Sequence, residues 1–204
     1  LSEWNDQHPN LQIQTVSDGK AAELSNSTNT AMNNFGEELY NKAQIYRAKM
    51  IPEEKWEKDV LNFHHKWTRF KEETFTLDYT DLIEKAIKDM PYPPLHVSII
   101  FVDEAQDFTK LELNLLRRWA LNLKELVLVG DDDQTLYSFS GATPESFLNP
   151  PVADENIVIL DTSYRVPKKV HSYAVKFLKH ISFRQKKEYY PKDDEVQGEV
   201  IHLK

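Results

Sequence analysis

Two apolar runs separated by a helical pattern constrain this chain more than any other feature. "HVSIIFV" (96–102) is β-branched and apolar, and "ELVLVG" (125–130) has the same character. Between them Leu113, Leu116, Trp119, Ala120 and Leu123 fall on one helical face. Strand, helix, strand in that order predicts an α/β fold with a parallel sheet. Runs without polar alternation predict strands buried on both faces. The first run ends in Asp103-Glu104-Ala105-Gln106-Asp107, and the second in Gly130-Asp131-Asp132-Asp133-Gln134. A third short run, "IVIL" (157–160), predicts another strand and leads into Asp161-Thr162-Ser163-Tyr164-Arg165. In open parallel sheets, ligands sit just beyond the carboxyl ends of the strands. The polar clusters therefore fall where chemistry is expected.

The chain ahead of this unit reads as helical. Residues 1 to about 34, including "SDGKAAELSNSTNTAMNN", are small, polar and weakly patterned, which predicts loop or short irregular helix. Trp56, Val60, Phe63, Trp67 and Phe70 recur at helical spacing and form one stripe. A further helix starts near Thr80, with Leu82, Ile83, Ala86, Ile87 and Met90 on one face and Asp81 and Glu84 in its first turn. "PYPP" (91–94) stops it, and "NPPVADEN" (149–156) marks a candidate domain boundary. Pro167 suits the first turn of a helix through Val170, Ala174, Phe177 and Leu178, and "GEVIHLK" (198–204) reads as a last strand.

Composition narrows the function classes. The chain has no cysteine, which excludes disulfides, thiolate metal sites and cysteine nucleophiles and fits a cytoplasmic setting. No stretch approaches the roughly 20 apolar residues of a membrane span. The net charge of −8 argues against coating nucleic acid by charge alone, so any DNA contact must be local. "HHKWTRFK" (64–71) mixes basic and aromatic residues, but its spacing assigns the rings to a packed face and Lys66, Arg69 and Lys71 to solvent. "RQKKEYYPKDDE" (184–195) reads as a charged surface segment.

Acids after a buried strand have a use in phosphoryl transfer. One carboxylate can hold Mg²⁺, usually through water, and its neighbour can orient or deprotonate an attacking water. Asp103 and Glu104 are the candidates; helix capping is the ordinary alternative use of such acids. Gln134 can read a terminal phosphate by hydrogen bonding, and Arg165 can supply positive charge to a transferring phosphoryl group.

Taken together, "VDEAQD", "LVGDDDQTLYSFSGA" and "LDTSYR" resemble, in order and spacing, three boxes of the UvrD/Rep-type superfamily 1 DNA helicases. "FTLDYTDLIEKA" (75–86) is similar to the segment that precedes the first of those boxes. The resemblance covers roughly residues 75 to 204 and implies a partial P-loop NTPase (RecA-like) sheet. It divides the chain into a mostly helical insert over 1–90, the later half of a first motor domain over 91–150, and the start of a second over 151–204. It implies ATP and Mg²⁺ as cofactors and single-stranded DNA, or a single-strand/duplex junction, as partner. Asp103 resembles the magnesium-linked aspartate and Glu104 the water-activating glutamate. Gln134 resembles the γ-phosphate sensor, Arg165 the arginine that reaches the γ-phosphate, and Tyr164 a tyrosine that stacks on adenine. Tyr137 and Phe139 match aromatics that stack on bases, a sequence-tolerant contact worth about 1–3 kcal/mol per base. Asp107 is expected to couple the site to its neighbours. The match is incomplete: Asp132 stands at a usual proline, Ser163 replaces asparagine and Val166 replaces serine.

No glycine-rich phosphate loop ending in Gly-Lys-Ser/Thr is present; Gly19-Lys20 lacks the flanking pattern. The chain reads as an internal piece of a longer helicase, inactive alone. The alternative is a degenerate helicase relative that binds DNA or a protein without catalysis.

Overall fold

The aromatic stripe builds the principal core. The computed structural model describes residues 1–13, 35–191 and 197–201. Helices α1 (Ser2–Gln7), α2 (Phe35–Ala48), α3 (Lys58–Thr74) and α4 (Tyr79–Asp89) come first. Strand β1 (Ile99–Val102), helix α5 (Lys110–Ala120) and strand β2 (Glu125–Leu128) follow, then α6 (Pro144–Leu148) and α7 (Lys168–Leu178). Helix α2 packs along α3, and Val60, Phe63, Trp67 and Phe70 bury between them with Leu39 and Ala43. Trp56 lies just ahead of α3, yet it joins the same core and donates its indole N–H to the Ile51 carbonyl at 2.7 Å.

The N-terminus departs from the weak structure its composition predicts. Trp4 on α1 is fully buried against Phe63, Trp67 and Phe70, with ring centroids 5.0–5.7 Å away. Its indole N–H donates to the Leu11 carbonyl at 2.8 Å. Gly36 permits this docking, because a Cβ there would lie 2.2 Å from the Leu11 carbonyl carbon. Residues 14–34, with Gly19-Lys20, lie outside the described residues.

Helix α4 is tied to the α2–α3 layer by charge. Asp78 and Asp81 form a reciprocal capping box, each carboxylate accepting the other's backbone N–H at 2.8 Å. Both also accept from Arg47 and Lys71, two buried cations, and Glu84 accepts from Arg47 at 2.7 Å. Lys71 is thus not on the solvated face its sequence neighbours suggested, whereas Lys66 is exposed and Arg69 pairs on the surface with Glu73. Glu84 serves Arg47 rather than the first turn of its own helix.

Strands β1 and β2 pair in parallel, Ile99 opposite Glu125 through Val102 opposite Leu128, with α5 as the crossover. This confirms a mixed helix–strand chain with a small parallel sheet. The expectation of strands buried on both faces is corrected: Phe101 is 72% exposed and only Val102 of β1 is buried. Two strands cannot cover each other's faces, and among the described residues no further strand joins them. "IVIL" forms no strand and pairs with none among the described residues, with Leu160 82% exposed; pairing begins just beyond it, where Thr162 bridges Tyr190. Residues 198–201 form no strand, and 202–204 lie outside the described residues.

Candidate active site

The carboxyl ends of β1 and β2 lie side by side because the strands are parallel and in register. The Ala105 N–H donates to the Val129 carbonyl at 2.8 Å, closing the two strand-end loops onto each other. Asp103 and Glu104 emerge exposed from β1. Glu104 has left-handed backbone, φ 49° and ψ 40°, a conformation that costs a non-glycine residue about 1 kcal/mol or more and concentrates at functional sites. The Asp103 carboxylate accepts the Glu104 N–H at 2.9 Å and so supports that turn.

Gln106, which the sequence reading did not single out, joins the two strand ends. It is 2% exposed; its Nε2 donates to Glu104 Oε2 at 2.9 Å and its Oε1 accepts the Asp131 N–H at 3.0 Å. Gly130 makes room for it, since a Cβ there would lie 2.4 Å from Gln106 Oε1. Asp131 in turn accepts from the Gln134 side-chain amide at 2.6 Å. A continuous hydrogen-bonded path therefore runs Glu104–Gln106–Asp131–Gln134. The signal for Gln106 was its position inside the acidic cluster, but its burial depends on the neighbouring strand.

The three consecutive aspartates are not a free acidic patch. Asp132 is buried and Asp133 nearly so on its side chain. Arg184 grips Asp133 through two bonds of 2.7 and 2.5 Å, the Gln185 N–H donates to Asp132 at 2.5 Å, and Lys187 pairs with Asp131 at 2.6 Å and with Asp132. The segment read as charged surface is thus held on the strand-end loop at residues 184–187; residues 192–196 lie outside the described residues. Burial works to raise the Asp131 carboxyl, and Lys187 and Gln134 outweigh it, leaving it below the usual carboxylate range. Burial works to lower the Lys187 ammonium, and Asp131 and Asp132 outweigh it, leaving it above the ordinary lysine value.

The other sequence candidates lie around this path. Tyr137 and Phe139 follow Gln134 in an exposed turn, 48% and 71% exposed, with ring centroids 5.6 Å apart. Tyr137 also lines a cavity of about 430 Å³ with Gln44, Tyr79, Ile83, Leu111 and Asp107. The Asp107 Oδ1 there is buried without a hydrogen-bond partner among the described residues. Tyr164 and Arg165 are exposed on a turn in which the Ser163 hydroxyl accepts the Arg165 and Val166 N–H groups at 3.2 and 2.9 Å. Arg165's guanidinium makes no hydrogen bond or ion pair among the described residues, so the structure assembles Glu104 and Gln134 into one path but does not bring Arg165 into it.

A parallel strand–helix–strand unit with linked polar side chains at its carboxyl ends is compatible with an α/β helicase domain. The family model for the UvrD/REP helicase N-terminal domain matches residues 3–151, and the chain belongs to that family. It is 34% identical over 107 residues to a probable DNA helicase II homolog of Mycoplasma capricolum, a match covering 52% of this chain and 14% of that protein. It is 30% identical over 135 residues to the ATP-dependent DNA helicase PcrA of Staphylococcus aureus, covering 62% of this chain and 18% of that protein. The matched region thus spans less than a fifth of the length of these relatives.

Proposed function

We propose that this chain is part of an ATP-dependent DNA helicase motor acting on single-stranded DNA. It would carry the hydrolytic half of a nucleotide site on a partial RecA-like sheet. The helical insert would span 1–90, the later half of the first motor domain 91–150, and the start of the second 151–204. The observation that carries this reading is the hydrogen-bonded path from Glu104 through Gln106 and Asp131 to Gln134. It links a carboxylate able to take a proton from water to an amide able to sense a phosphate oxygen.

The residues fit Mg²⁺–ATP as partial ligands. Among the described residues no three His, Asp or Glu side chains form a cation cage. That suits a cation held by one or two carboxylates together with water and substrate phosphates. Asp103, exposed at the strand end, would hold it, and the cation would neutralise phosphate charge. Glu104 keeps Oε2 on Gln106, so Oε1 is left to accept the proton of the attacking water. Gln134 would donate its amide N–H to the γ-phosphate. Arg165 would reach the same phosphate as the second motor domain closes, and Tyr164 would stack on the adenine. Phe139 and Tyr137, both open to solvent, would stack on bases.

The test is Glu104→Gln in the full-length protein that contains this chain. DNA-stimulated ATP turnover should fall by about 100-fold or more, while single-stranded DNA is still bound in the presence of a non-hydrolysable ATP analogue. Turnover within threefold of wild type would remove Glu104 from the chemistry. A wild-type full-length protein that binds DNA but turns over no ATP would replace the motor with a non-catalytic binding module.

A further inference from the structure

Three adjacent aspartates with two of their side chains nearly buried form an arrangement that electrostatics alone would disperse. Taking a carboxylate out of water is unfavourable unless cations and hydrogen bonds replace its solvent. Here the replacement comes from residues 51 to 56 positions further along the chain. Arg184 covers Asp133, the Gln185 N–H covers one oxygen of Asp132, and Lys187 covers the other together with Oδ1 of Asp131. The two oxygens of Asp131 are then committed in different directions. Oδ1 accepts from Lys187 at 2.6 Å, and Oδ2 accepts from the Gln134 amide at 2.6 Å.

We propose that Lys187 is a positioning residue for Gln134, acting through Asp131 and thereby linking the segment after α7 to the hydrolytic site. A carboxylate with one oxygen pinned by an ammonium cannot swing, so its second oxygen presents a fixed acceptor and holds the glutamine amide in one orientation. The Asp131 N–H is anchored independently on Gln106, and Oδ1 also accepts the Asp133 N–H at 3.2 Å, so the shorter, charged contact from Lys187 is the second restraint on a side-chain torsion that the turn itself holds only loosely. Movement of the 184–187 segment relative to the strand-end loop would leave Asp131 held by the Asp133 N–H alone and let Gln134 turn away more readily. Lys187 thus makes the readiness of Gln134 depend on how the part of the chain beyond α7 is seated. This inference rests on the role proposed for Gln134.

The experiment is a mutant cycle in the full-length protein, reading DNA-stimulated ATP turnover. Lys187→Met should lower kcat about tenfold with KM for ATP within twofold. Lys187→Arg, which keeps the charge and a donor, should recover kcat to within threefold of wild type. In a Gln134→Ala background, Lys187→Met should change kcat by less than twofold, because the residue through which it acts is gone. A merely structural lysine would impose the same loss in both backgrounds, and that result overturns the inference. A Lys187→Met protein with wild-type kcat, while Gln134→Ala is impaired, also overturns it and leaves the site reading standing. Wild-type turnover in Gln134→Ala removes the site reading and the inference with it. If Lys187→Met does not fold, Asp131→Asn takes its place in the cycle, with the same loss expected in the wild-type background and the same silence in Gln134→Ala.

Discussion

At the scale of single residues, Gln106 carries more of the site than its neighbours' charges suggest. It satisfies a carboxylate on one strand end and a backbone N–H on the other from a nearly buried position. Gln106→Leu keeps the volume and removes both bonds, leaving the Asp131 N–H without its partner. The expected loss of stability is about 1–3 kcal/mol, measured by urea unfolding, with a loss of ATP turnover in the full-length protein that exceeds the loss of folded protein. Trp4 is the other residue whose weight is set by packing. Trp4→Ala opens a cavity among Phe63, Trp67 and Phe70 and should destabilise by about 3–5 kcal/mol, read from the urea midpoint. Trp4 stands in a polar stretch where periodicity gave no sign of a core position, so composition underrated it.

At the scale of elements, the join between α4 and the α2–α3 layer is ionic. Burial works to lower the Arg47 guanidinium; Glu84, Asp78 and Asp81 outweigh it and hold it above its ordinary value. Burial works to raise Asp78, and Lys71, the Asp81 N–H and Arg47 outweigh it, leaving it well below the usual carboxylate range. Arg47→Met leaves two largely buried carboxylates short of a cation and should cost about 3–5 kcal/mol. Chemical denaturation of the full-length protein checks this, with loss of α4 protection in hydrogen exchange. The pH dependence follows from Asp78. Its folded value is depressed, so its contribution is fully present above the unfolded value near about 3.9 and is lost as pH falls from there toward the folded value. The urea midpoint should drop as the pH falls below about 4, and Asp78→Asn should flatten that drop while lowering stability at neutral pH. Asp81 was legible as an acid of the first turn of α4, but the capping role of Asp78 and the cations that both acids meet were not. Lys71 sits in a run that reads as a solvated face, and it is buried where Asp78 and Asp81 at the start of α4 close on it.

At the scale of the whole molecule, parallel β1 and β2 place Glu104 and Gln134 on one edge while leaving Phe101, Val158 and Leu160 open to solvent. Large apolar side chains left in water favour association through them. The isolated 204-residue chain should bind a hydrophobic dye and associate with rising concentration. Phe101→Ser combined with Leu160→Ser should reduce both, measured by fluorescence and by light scattering. The same chain should show no DNA-stimulated ATP turnover, since its sequence contains no Gly-Lys-Ser/Thr phosphate loop. Turnover by the purified 204-residue chain would contradict that expectation.

The sequence by itself determined the local order of this protein. Apolar runs of β-branched residues set β1 and β2, an intervening helical face made them parallel, and acids at their ends marked a candidate site. The aromatic stripe of α3 was legible for the same reason: side-chain periodicity is a property of neighbours along the chain. Tertiary structure alone decided which charges are buried and what they hold. Asp131, Asp132 and Asp133 meet Arg184 and Lys187 only because the chain returns after α7, and Arg47 meets Glu84 across 37 positions. Desolvation and pairing depend on distance in space, and the linear pattern carries no record of that distance.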